Sequence, residues 1–543
     1  MLLRLVLTLL AVPLHAAARE DHEWPGHHMV EAGRTRYIRP EGRLVENSYF
    51  VLLHDDVNLS AHYKESQWHR IPGIEIVPLD QLGAYAIRTD DTILNDVIRT
   101  DPAVRMVHHD HMMYKPDPID AEPIPDSTSP EHTTPGRTSW TSNIARAASG
   151  LYKRWMTQEL PDAYWELQAI TAGKQLTNIQ SKGPAKILED GGIGVHIYVC
   201  DSGMRLTHEA FGGRAVNFKG KNTSDYTEPA GLPMERGERD VPRAYHGTAV
   251  GCFAGGANHG LATGATIVNV RITGANETTS AVGLARAIND IIDEHNSYLQ
   301  QLNAGTKKDW RGSIINLSLV SSSSLPVETA LKKALAAGVL IVGSAGNGNP
   351  WRGENEPAKG VRILDHWAPC GLRLGNGLNA SFCVSATNKT YGAIPQFSNY
   401  GPEVNMVAPG IDLNACGITS DTATVWGAGT SFAAPLVTGA AAIIMSWENI
   451  VKDPATVIAK LQWNGLEGLA NGFNGKSPRT QYDKNLLFLN SGINNGGGGP
   501  YQGAPSSPNQ VVGDHIGDWD GHQTDDGPQD GGNLPAGESV AHH

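Results

Sequence analysis

From residue 140 to about residue 490, short apolar runs alternate with longer amphipathic stretches, and this alternation constrains the fold more than any other feature of the chain. The runs 195–200 (VHIYVC), 266–272 (TIVNVRI), 313–319 (SIINLSL), 338–345 (GVLIVGSA) and 381–387 (SFCVSAT) are apolar on both faces. Strands of this kind need cover on both sides, which a parallel sheet provides. The stretches between them, such as 280–299 and 326–338, carry apolar residues at helical period. The pattern predicts an α/β fold, a mostly parallel sheet with helices on both faces. In such sheets ligands gather at the carboxyl ends of strands and at helix N-termini. Residues at those places are therefore the candidates for chemistry.

The remainder of the 543 residues forms flanks. Residues 1–18 hold one cation, Arg4, then an apolar run, then Ala16, Ala17 and Ala18; they read as a secretory signal peptide. No internal stretch reaches the roughly 18 apolar residues that a membrane span needs. A secreted, extracellular protein without membrane association is expected. Residues 19–47 are polar and His-rich, with no clear period. Residues 48–115 read as a small α+β module: a strand from Ser48, a helix capped by Asn58 or Ser60, a strand through Ala84 and Ala86, a helix capped by Asp90 or Asp91, and a last strand before residue 115. Residues 116–139 are rich in Pro, Asp, Ser and Thr and suit an exposed linker with a maturation site. Residues 491–543 are Gly-rich and acidic, without Lys or Arg, and are expected to be disordered. The net charge of -13 argues against a nucleic-acid partner. Asp514, Asp518, Asp520, Asp525, Asp526, Asp530 and Glu538 of the tail supply more than half of it. N-x-S/T sequons stand at Asn58, Asn222, Asn276, Asn316, Asn379 and Asn388. Asn316 falls in a buried strand and is not expected to carry a glycan.

Four short segments stand where chemistry is expected. Asp201 follows the strand 195–200, His246 opens a small-residue helix, Asn347 follows the strand 338–345, and Ser431 opens a long apolar helix. Each alone has an ordinary structural reading: a turn, a structural His, a helix cap. In combination, Asp, His and Ser in that chain order, with Asn between His and Ser, supply what acyl transfer needs.

The segments D-S-G-x-x-x-x-H-x-x-F-x-G-R-A from Asp201 to Ala215, His246-Gly247-Thr248, G-x-A-T-G-A-x-I from Gly260 to Ile267, Ser318-Leu319, Gly346-Asn347, Phe397-Ser-Asn-Tyr-Gly401, Ala408-Pro-Gly410 and Gly429-Thr-Ser-Phe-Ala-Ala-Pro435 follow one another in the chain. In type and order they resemble the subtilisin-family serine proteases, nearest to the proteinase K-like secreted branch, over about 140–490. The module 48–115, with D-P-x-V-x-x-V-x-x-D ending at Asp110, is similar to the family's inhibitory propeptide. The resemblance implies a subtilisin-like peptidase domain at 140–490 behind a ferredoxin-like propeptide. It implies Ser431 as nucleophile, His246 as general base, Asp201 as its orienting carboxylate, and an oxyanion hole from Asn347 and the Ser431 N–H. Ser318, Leu319 and Val320, with Ser344, Ala345 and Gly346, resemble the walls of the substrate cleft. It implies a monomeric endopeptidase made as a zymogen, with protein or peptide substrates and its own propeptide as intramolecular inhibitor. No cofactor is required; a structural calcium is compatible with the family, but no ligand set can be matched.

Some positions depart from the family. Tyr245 replaces the usual Gly before the His, and the usual Ser-Leu-Gly-Gly reads Ser318-Leu319-Val320-Ser321. Both glycines that let substrate lie close have gained side chains, so a narrowed cleft is expected. Leu436 reads as packing. Cys200 and Cys252 read as buried free thiols, and Cys370, Cys383 and Cys416 could supply one disulfide; an odd total of 5 leaves at least one thiol free. Tyr245, Val320 and Ser321 also motivate a second reading, a catalytically weak or inactive relative acting as a binding protein. An acid peptidase with a Ser-Glu-Asp site conflicts with His246.

Overall fold

Eight parallel strands form the central sheet. In chain order these are β9 (Val195–Asp201), β10 (Ala215–Asn217), β11 (Thr266–Arg271), β13 (Gly312–Leu317), β15 (Leu340–Ser344), β17 (Phe382–Thr387), β18 (Met406–Pro409) and β21 (Leu487–Phe488). Their order across the sheet is β10-β11-β9-β13-β15-β17-β18-β21. The structure is a computed structural model that describes residues 26–40, 42–113, 157–172, 179–218, 245–273, 279–322, 324–348, 360–363, 367–372, 381–389, 394–465 and 487–489. The expected signal peptide, linker and acidic tail, and the sequons at Asn222, Asn276 and Asn379, lie outside the described residues, as do the side chains of Tyr245 and Ser321.

Helices cover both faces, as the apolar strands require. On one face lie α4 (Tyr245–Gly255) and α7 (Thr430–Glu448), packed on Val195, Ile197, Val199, Ile314 and Val342. On the other lie α5 (Ala281–Asn303) and α6 (Leu325–Ala337), packed on Tyr198, Val268, Ile315 and Ile341. The α5 stripe Leu284, Ala285, Ile288, Ile291, Ile292 and His295 recurs at helical spacing and is buried. α7 is long and apolar enough to cross a membrane, but 94% of its apolar 18-residue window is buried inside the protein. The expected strand 338–345 is shortened at its start because Gly338, at φ 94°, caps α6. The strand 313–319 stops at Leu317 and leaves 318–320 as a segment beyond the sheet. Asn316 is fully buried.

The first unit is a sheet of β1 (Gly26–Met29), β2 (Tyr37–Pro40), β3 (Leu44–Leu53), β4 (Glu75–Leu79), β5 (Ala84–Arg88) and β6 (Val104–Met113), in the order β1-β2-β6-β3-β5-β4. α1 (Leu59–Ser66), capped by Asn58, and α2 (Asp91–Ile93), capped by Asp90, follow β3 and β5. The segment 19–47, in which the sequence shows no period, therefore contributes β1, β2 and the start of β3. β1, at the sheet edge, and β2, between β1 and β6, are four-residue strands, and so short a run leaves little apolar period to read. β4 contains Pro78, which lacks an N–H for pairing on both sides, and it takes the opposite edge.

This unit packs on α5. Phe50, Leu52, Leu79, Leu82, Ala84 and Met113 share a core cluster with Val282, Leu284 and Ile288. β6 pairs antiparallel with β12 (Thr279–Ser280), Met113 opposite Thr279. Gln81 N–H donates to Asn289 Oδ1 at 3.0 Å and its side chain to Asp293 Oδ1 at 2.6 Å.

Two disulfides join Cys252 to Cys416 and Cys370 to Cys383. The expectation of a free thiol at Cys252 is thereby corrected: its partner in β19 (Leu413–Cys416) lies 164 residues away, too far for sequence spacing to pair them. Cys200 is free and buried.

Candidate active site

β9 ends on Asp201, and α4 opens with His246 as its second residue. His246 Nδ1 lies 2.9 Å from both Asp201 oxygens. The imidazole is fully buried and Asp201 is 5% exposed. Asp201 Oδ1 also accepts the Ser202 N–H at 2.7 Å, and Ser202 Oγ accepts the Gly247 N–H at 3.2 Å. The head of α4 is thus tied to the end of β9. Gly247 is required there, since a Cβ would stand 2.3 Å from the Gly203 carbonyl oxygen. The ring of Phe432, the residue after Ser431, packs 5.5 Å from that of His246, centroid to centroid.

Ser431 is the second residue of α7 and is buried. Asn347 Oδ1 accepts two hydrogen bonds from Thr430, from its N–H and its Oγ1, each at 2.9 Å. Thr430 Oγ1 in turn accepts the Gly346 N–H at 3.0 Å. With its oxygen held by Thr430, the Asn347 amide turns its nitrogen to the Ser431 side. A Cβ on Gly429 would stand 3.1 Å from Asn347 Nδ2 and 3.8 Å from Ser431 Oγ, so the two groups share one small space above Gly429. Gly429, at φ 150°, leaves that space open.

The remaining candidates divide into two kinds. The Ser318 side chain donates to the Ser431 carbonyl at 2.7 Å, so its hydroxyl is engaged inside the protein. Leu319, Val320, Ser344, Ala345 and Gly346 line two adjacent segments that continue β13 and β15. Val320 Cγ2 lies 2.8 Å from the place a Cβ on Gly346 would take, so the segments touch. Burial pushes the Cys200 thiol up, with neighbouring Asp201 acting in the same direction, which leaves the buried reading of this cysteine. Leu436 is core packing, as expected.

Thr430, Phe432, Ser202 and Asn399 were not identified from sequence. Asn399 Nδ2 donates to the Ala345 and Gly348 carbonyls at 2.9 and 3.2 Å, and its Oδ1 accepts the Gly348 N–H at 3.0 Å, so it holds the chain on either side of Asn347. It lies inside the Phe397–Gly401 motif, and Thr430 and Phe432 flank Ser431; that adjacency was the available signal. Among the described residues, Cys252, His259 and Cys416 are the group with ligand atoms close enough for a metal, within 4.8 Å. Their two sulfurs are bonded to each other, which makes the group a covalent tie.

Comparison with known proteins places this geometry. A model of the subtilase family, Peptidase S8, matches residues 192–475. An extracellular serine proteinase from Thermus sp. (strain Rt41A) is 33% identical over 257 residues, which is 47% of this chain and 52% of that protein. Alkaline protease 1 of Aspergillus clavatus is 30% identical over 333 residues, 59% of this chain and 71% of its own length. The chain thus spans about half of the first relative and more than two thirds of the second. Among solved structures, fervidolysin from Fervidobacterium pennivorans, described as a keratinolytic enzyme related to subtilisin, aligns over 86% of this chain and 64% of its own with a TM-score of 0.50. At 19% identity that likeness concerns the fold. The family match extends over more than half of the 543 residues, and the chain belongs to the subtilase family.

Proposed function

We propose that this chain is a secreted serine endopeptidase, made as a zymogen, that hydrolyses peptide bonds through an acyl-enzyme on Ser431. The observation that supports the reading best is the Asp201–His246 pair, together with the small space above Gly429 that Ser431 Oγ shares with the Asn347 amide. The double contact with Asp201 holds Nδ1 as the protonated nitrogen and leaves Nε2 to take the Ser431 proton. Oγ attacks the scissile carbonyl. The oxyanion is met by Asn347 Nδ2 and the Ser431 N–H, and one such donor is worth roughly 3–4 kcal/mol of barrier. His246 then gives its proton to the leaving amine, and water repeats the sequence on the acyl-enzyme. An extended peptide would lie along segments 318–320 and 344–346 as an added strand. The unit that ends at β6 would be the intramolecular inhibitor, released after cleavage in the linker. Extracellular action agrees with the expected signal peptide and with the printed name of the Thermus relative.

Casein digestion by the secreted protein, together with labelling by a fluorophosphonate, tests the reading. Wild type is expected to digest and to label, and Ser431→Ala to do neither. Asn347→Ala should keep the fold and lose about two to three orders of magnitude in kcat. A wild-type protein that neither digests nor labels would leave the binding-protein reading.

A further inference from the structure

We infer that Val320 restricts cleavage to bonds that follow a small residue, glycine or alanine; the inference rests on the endopeptidase reading above. β13 and β15 are neighbours in register, with Leu317 opposite Gly343, and their continuations run side by side past Asn347. A substrate carbonyl held between Asn347 and Ser431 brings the side chain of the residue before the scissile bond to the gap between these continuations. Val320 bridges that gap. Its Cγ2 lies 2.8 Å from a notional Cβ on Gly346, which puts the isopropyl group in van der Waals contact with the Gly346 Cα. Asn399 Nδ2 lies 2.6 Å from the same point, itself held by the Ala345 and Gly348 carbonyls.

Neither wall can give way cheaply. Val320 is 3% exposed and belongs to the same core cluster as Ala345, Ile363 and Phe397. A β-branched side chain has few rotamers to offer. Gly346, at φ 95°, has its N–H bonded to Thr430 and its carbonyl accepts the Asn399 N–H at 2.9 Å. A phenyl or isobutyl group driven between these segments would have to move both, and overpacking of that kind is unfavourable. A hydrogen or a methyl group does not reach so far.

The test uses the full-length chain, secreted and allowed to mature, with peptide p-nitroanilides that differ only at the residue before the cleaved bond: Gly, Ala, Val, Leu and Phe. The wild type is expected to favour Ala over Leu and Phe by more than about tenfold in kcat/KM. Val320→Gly should shift the Phe-to-Ala ratio upward by at least about tenfold, with Val320→Ala between. A wild type that cleaves after Leu or Phe about as well as after Ala overturns the inference and leaves the endopeptidase reading intact. An unchanged ratio in a folded Val320→Gly enzyme also overturns it. No turnover of any peptide, together with no fluorophosphonate labelling of Ser431, overturns the endopeptidase reading and this inference with it. The wild-type profile decides without either variant, so misfolding of a variant does not remove the test.

Discussion

Ser318 Oγ donates to the backbone carbonyl of Ser431 at 2.7 Å, and the reason lies four residues on, at Pro435. In a regular helix the carbonyl of residue 431 accepts the N–H of residue 435. Proline has no N–H to give. The Ser318 hydroxyl takes that place and is itself positioned by Asn316 Nδ2 at 2.9 Å, while Asn316 Oδ1 accepts from Thr438 Oγ1 at 2.9 Å. A hydrogen-bond chain from β13 thus repairs the helix at Ser431. Ser318→Ala would leave a buried carbonyl unmatched, at a cost of about 1–3 kcal/mol. A lower melting temperature and a lower kcat with little change in KM are expected. If calorimetry and kinetics both match the wild type, the hydroxyl has no such role.

Asp110 performs a related service between the two units. Its Oδ1 accepts the Val282 N–H at 3.0 Å, within the first turn of α5, and its Oδ2 accepts from Ser48 Oγ at 2.9 Å. A carboxylate at a helix N-terminus is stabilising by about 0.3–2 kcal/mol. Asp110→Ala should loosen the first unit on α5 and hasten the appearance of active enzyme in the full-length chain, followed as a time course of activity. Maturation at the wild-type rate would count against a docking role.

Acid should weaken the same unit through its histidines. Burial, with help from nearby His109, pushes the His111 pKa down to about 4, and burial also lowers that of His109. Around His109 lie Tyr37, whose hydroxyl is 2.5 Å from Nδ1, and the charges of Arg39 and Asp91, which act in opposite directions. Because the folded values lie below the ordinary value of 6.5, the unfolded unit takes up protons that the folded unit refuses. Stability is therefore full above about pH 6.5 and falls as pH drops toward 4, by up to about 1.4 kcal/mol per pH unit for each group that resists protonation. Urea unfolding of the uncleavable Ser431→Ala chain at pH 7.5 and 5 measures this. Equal midpoints at the two values would contradict it.

Glu166 tilts stability the other way. It is fully buried in the helix Trp165–Thr171, and burial pushes its pKa from 4.5 up to about 8, against a partial pull from Lys389. A raised folded value means that stability is fully present below the unfolded value and is lost as pH rises toward 8. Glu166→Gln, a near-isostere that stays neutral, should melt higher than the wild type at pH 8, by about 2–4 kcal/mol in stability, and equally at pH 4.5. A difference that does not vary with pH would exclude the buried carboxyl as its source.

The central sheet was legible because its strands are buried on nearly every residue, so Val195–Asp201 and Phe382–Thr387 are mostly apolar runs. The residues that meet at its carboxyl end were legible because helix heads and strand ends are short and particular in sequence, as at His246 and Ser431. Short edge elements were hidden: Gly26–Met29 and Tyr37–Pro40 are only four residues long, and Glu75–Leu79 carries a proline. Contacts between distant segments were hidden as well. Nothing near Cys252 points to Cys416, and the substitution at Val320 shows only that a glycine is missing, whereas its contact with Gly346 depends on how β13 and β15 diverge.

The bond between Cys252 and Cys416 encloses 164 residues of sequence separation, and Asn347 falls inside the enclosed loop. His246 precedes the loop and Ser431 follows it. Any single cut between the two cysteines leaves both fragments chained together, with His246 on one and Ser431 on the other. Such a clipped molecule would stay whole and separate into two pieces only under a reducing agent, so that damage within this span becomes survivable wear.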